Sequence, residues 1–63
     1  MADLETLRHR CEALAEELAD ASLDLLRAAV DGDEVAASTE KRVTRARRAV
    51  EKAAALLDPP ATR

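Results

Sequence analysis

The chain has no Phe, Tyr or Trp, no Ile, no Asn and no Gln, and it holds one Gly, two Pro, one Cys and one His. Each scarcity closes a route. Without rings there is no stacking platform for bases, no sugar-binding face and no cage for methylated lysine. Cys11 alone makes no internal disulfide, and with His9 as the single imidazole no four-ligand zinc site assembles within one chain. The longest uninterrupted apolar run is Ala53 to Leu57, too short to span a membrane, and the amino terminus lacks the basic segment and apolar core of a signal peptide. The expectation is a cytoplasmic chain with no membrane contact.

What the sequence does contain is helix-forming material. Ala and Leu fill twenty-four of 63 positions, and Arg outnumbers Lys eight to two. A chain of this length is one small domain at most, and folding alone it buries only about 60% of its unfolded surface. Small scaffolds compensate with disulfides, a metal or oligomerisation. The first two are closed, so oligomerisation remains.

The longest pattern lies between Asp3 and Asp31. Taken in sevens from Leu4, the first and fourth positions read Leu4, Leu7, Cys11, Leu14, Leu18, Ala21, Leu25 and Ala28, an uncharged seam at coiled-coil spacing. From Ala19 a second stripe joins it: Ala19, Leu23, Leu26 and Val30. With Ser22 and Ala29 between them, the two stripes merge into an apolar arc of roughly 220°, against the roughly 100° that one surface helix requires. One neighbouring helix shields only one side, so a second neighbour is implied. Leu18, Ala19, Ser22, Leu23, Leu26 and Val30 are therefore the candidate oligomer interface.

Asp3 suits an N-cap, and Glu5 favours the positive end of the helix dipole. Asp31-Gly32-Asp33 reads as a stop and a restart: Gly32 takes the left-handed conformation that ends a helix, and Asp33 caps the next. A restart at Ser38 or Thr39 is the second reading. The prediction is a helix over about 3–31, a turn at 31–33 and a helix over about 34–58, with residues 59–63 a disordered tail beyond Pro59-Pro60. So short a turn makes the helices antiparallel. The second helix repeats the seam with smaller residues: Ala36, Thr39, Val43, Ala46, Val50, Ala53 and Leu57. The expected fold is all-α, an antiparallel two-helix hairpin assembling as a dimeric four-helix bundle.

Charge is divided between the halves. Residues 1–31 carry eight acids and three bases, and residues 32–63 five acids and seven bases. Folded at Gly32, the acidic middle of the first helix lies beside the basic middle of the second, and Glu17–Arg47 and Asp24–Arg42 are the expected register pairs, worth about 0.3–0.5 kcal/mol each. Lys41, Arg45, Arg48 and Lys52, spaced four, three and four, form one stripe opposite the second seam. That stripe is a solvated face, a candidate site for an acidic partner surface, or a track for nucleic-acid phosphates. The net charge of −3, the missing rings and the acidic helix beside it count against the last.

Residues with chemical potential are few and scattered. Cys11 is a small buried apolar residue on the seam, His9 faces solvent, and Arg8 and Arg10 point off the seam. Glu12, Glu16 and Asp20 stand one turn apart but face outward, without the Glu-to-His spacing of carboxylate metal sites. Ser22 is the one hydroxyl inside the apolar arc, suited to bonding its own helix or marking a close crossing. No catalytic set, metal site or cofactor is implied, and no family signature is present. The functional expectation is a non-enzymatic assembly, adaptor or regulatory module that self-associates as a homodimer and binds another protein, with Leu26→Glu giving a monomer or a poorly folded chain. The alternative is a nucleic-acid-associated hairpin that uses the basic stripe.

Overall fold

A computed structural model describes residues 3–59. It contains two helices, α1 (Leu4–Val30) and α2 (Glu34–Leu57), packed against each other as a hairpin. Each end has a local cause. Asp3 accepts hydrogen bonds from the backbone N–H of Glu5 at 3.1 Å and of Thr6 at 3.4 Å, and the Thr6 hydroxyl donates to its second oxygen at 2.8 Å. These satisfy amides that a helix start leaves without partners. Arg27 stands in the last turn of α1, where a cation meets the negative end of the dipole.

The turn is built from one residue in each role. The Gly32 N–H donates to the Ala29 carbonyl and the Asp33 N–H to the Ala28 carbonyl, both at 3.0 Å, which is the Schellman pattern of helix termination. It requires a left-handed residue, and Gly32 has φ +104°. Asp33 is at once the last residue of that motif and the N-cap of α2, accepting from the Ala36 N–H at 3.0 Å. The restart at Ser38 or Thr39 does not occur. At the other end α2 stops at Leu57, with Pro59 unable to supply the next backbone donor. Of the predicted tail, residues 60–63 lie outside the described residues.

The two helices make a single layer with extents of 50 × 23 × 13 Å and a Cα radius of gyration of 14.9 Å. A compact 63-residue domain has a radius near about 11 Å. The chain is therefore elongated, and the residues between the helices are small: Ala15, Ser22, Ala36 and Ala54 are the buried positions. The expected leucine seam of α1 does not point straight at α2. Leu4 and Leu14 are exposed, Leu14 by 45%, and so is Ala46 on α2, while Leu7, Cys11, Leu18, Leu25, Val43, Val50 and Leu57 are half-buried. Small residues occupy the line of closest approach because only they let two backbones come near; larger side chains flank it.

The displacement has a direction. At about 100° per residue, the seam of α1 is turned roughly 70° from the line through Ala15 and Ser22, and that of α2 about 50° from Ala36 and Ala54. Both turn in the same sense. In an antiparallel pair this swings both seams onto one side of the hairpin, here the seam face.

Candidate interaction surfaces

Three residues make the polar contacts between the helices, on the side opposite the seam face. The Ser22 hydroxyl donates to Glu40 Oε2 at 2.5 Å, and the Thr44 hydroxyl, one turn further along α2, donates to the same oxygen at 2.5 Å. Both bonds favour the charged carboxylate. Ser22 first and then Thr44 hold Glu40 below its ordinary pKa, with Arg47 and Lys41 adding attraction and partial burial opposing. Sequence reasoning missed Glu40. The signal was present: Ser22 was the lone hydroxyl in an apolar arc, and folding at Gly32 sets it nearly level with Glu40.

Arg8 corrects another expectation. Its side chain is only 19% exposed and reaches across the open end of the hairpin, with Nη1 3.0 Å from Glu12 Oε2 and Nε 3.3 Å from Asp58 Oδ1. The second contact is an ion pair without hydrogen-bond alignment, since Nε has no aligned acceptor. Arg8 lies on the flank of α1 that turns toward α2, so a long cation there can bridge. A groove of about 440 Å³ follows, lined by Glu12, Glu16, Ala19, Arg47, Glu51 and Asp58 among others. This is the groove face.

The register pairs Glu17–Arg47 and Asp24–Arg42 are absent among the described residues. Arg47 is half-buried on the groove face, whereas Glu17 lies on the other edge of α1. Asp24 and Arg42 lie toward opposite outer edges of the layer, and Asp24 meets Arg27 instead, at 3.7 Å in a largely solvated pair. Lys41, Arg45, Arg48 and Lys52 are all exposed and enter no ion pair among the described residues.

The candidate interface residues divide. Ser22 is buried against α2 and bonded to Glu40, so it is spent within the chain. Leu18 and Ala19 are half-buried. Leu23, Leu26 and Val30 are 53%, 46% and 87% exposed and line a shallow apolar depression near the turn with Arg27 and Asp31, all from α1 and its C-cap. The seam face draws on both helices, with Leu14 and Ala46 exposed and Leu7, Leu25, Val43 and Val50 half-buried. Cys11 is half-buried and free, and among the described residues no three His, Cys, Asp or Glu side chains converge on a common point. Among the described residues, too, no helix is long and apolar enough to cross a membrane. Comparison with known protein families, curated proteins and solved structures gives no match.

Proposed function

We propose that this chain is a non-enzymatic helical hairpin that self-associates as a homodimer, in a four-helix bundle, and serves as an assembly, adaptor or regulatory module by offering its outer helical faces to another protein. One observation carries the reading: a single layer of two helices leaves large apolar side chains, Leu14, Leu23, Leu26 and Val30 among them, exposed to water. A domain core needs a second layer, and the described residues form only one layer. Light scattering at micromolar concentration is the test. The expected mass is that of two 6.8 kDa chains; a monomer of full helicity would overturn the proposal.

A second reading is favoured by the exposed stripe of Lys41, Arg45, Arg48 and Lys52, which enters no ion pair among the described residues. Four cations at helical spacing suit a run of phosphates. This reading expects binding to duplex DNA that weakens steeply with salt and disappears in an Arg45→Glu, Arg48→Glu variant. Absence of binding at about 50 mM salt, where phosphate contacts are strong, would remove it.

A further inference from the structure

We infer that the second copy packs on the seam face, with α1 of one chain lying along α2 of the other, and that the turn patch of Leu23, Leu26 and Val30 stays outside this contact. The inference rests on the self-association proposed above and names its geometry. In a four-helix bundle each helix has two neighbours about 90° apart, and its apolar seam bisects them, about 45° from each. The seams of α1 and α2 are turned from their mutual contact by roughly 70° and 50°, both toward the same side, where a second layer would meet them. A hairpin designed to be complete in itself would aim its seams inward.

Size and charge agree. The chain exposes 5178 Å², about 1,200 Å² more than a compact monomer of its mass, and a stable interface takes about 800 Å² from each partner. The turn patch lies at one end of the hairpin and comes from one helix and its cap, whereas the seam face combines exposed Leu14 and Ala46 with half-buried Leu7, Leu25, Val43 and Val50 from both helices. The groove face is unsuited to a dry contact, because Glu12, Glu16, Arg47, Glu51 and Asp58 would be stripped of water there.

The edges of the seam face choose between the two ways of stacking. Glu17 and Asp24 line the outer edge of α1, and Arg42 and Arg45 that of α2; no pair joins these acids to these bases within the chain. A two-fold axis parallel to the helices lays α1 over the partner's α2, makes every neighbour antiparallel, and sets Asp24 level with Arg42 and Glu17 near Arg45 across the interface. An axis perpendicular to the helices lays α1 over α1 and brings acid to acid. The Asp24–Arg42 pairing that the hairpin cannot make within itself is thereby made between chains.

Sedimentation of variants of the 63-residue chain tests this, with circular dichroism reporting helicity. Leu14→Glu on the seam face is expected to give a monomer, and Leu26→Glu on the turn patch to remain a dimer. The reverse result overturns the seam-face assignment while leaving self-association intact; a helical monomer in the parent chain overturns both. Should Leu14→Glu unfold, the exposed charges decide. Arg42→Glu is expected to raise the dimer dissociation constant about five-fold, and adding Asp24→Arg to restore it. Absence of restoration overturns the α1-over-α2 arrangement.

Discussion

Ser22 and Glu40 are joined across the helix pair by a 2.5 Å hydrogen bond, and the hydroxyl that makes it is one of the most buried groups in the molecule. The bond turns a position inside an apolar arc into a register mark: sliding α2 by one turn, about 5.4 Å, removes the carboxylate from reach. Because Ser22 and Thr44 both donate to the ionised form, Glu40 titrates below its ordinary value. The contribution to stability is therefore fully present above the unfolded-state pKa, about 4.3, and is lost as pH falls from there through the lower folded-state value.

Ser22→Ala is expected to move the Glu40 titration upward toward its ordinary range and to shrink the fall in stability below about pH 4.3 that belongs to this group. Thr44→Val shifts it in the same direction by a smaller amount. Carboxyl-carbon NMR titration reads the first effect, and thermal melts at pH 3 and 7 read the second. A Glu40 titration unchanged in Ser22→Ala would show that the hydroxyl does not hold the carboxylate.

Ala15→Leu or Ala54→Leu places a large side chain where the two backbones come closest. Either is expected to cost about 1–3 kcal/mol by overpacking. The same enlargement at exposed Ala46, which lies on the expected seam but not between the helices, leaves the hairpin's own packing unstrained. Urea denaturation of the three variants orders them; equal losses at Ala54 and Ala46 would contradict the placement of the contact line.

Gly32→Ala meets no steric neighbour, since nothing lies within 4 Å of the position its Cβ would take. The cost is conformational, from forcing an L-residue to a φ of +104°, and is expected to be about 1–2 kcal/mol. Gly32→D-Ala by chemical synthesis recovers that loss. Melting temperatures of the three chains check both, and a harmless L-Ala variant would mean that the turn relaxes to another conformation.

Local rules were enough to delimit the helices. Asp3, the run Asp31-Gly32-Asp33 and Pro59 act within a few residues of themselves, through caps, a left-handed glycine and a missing donor, and the α1 and α2 boundaries follow from them. The antiparallel hairpin follows equally, because a turn this short has nowhere else to send the second helix. The breadth of the apolar arc on α1 was also readable, being a property of composition at 3.6-residue spacing.

Rotation of each helix about its own axis is a different matter, and only the packed pair decided it. A heptad pattern names a stripe and not the neighbour that the stripe addresses. Close approach went to Ala15, Ser22, Ala36 and Ala54, which turned Leu14 and Ala46 outward, brought Arg8 to Asp58 and left Asp24 and Arg42 on opposite edges. Side-chain volume on two helices at once governs that choice, and a sequence read one helix at a time does not express it.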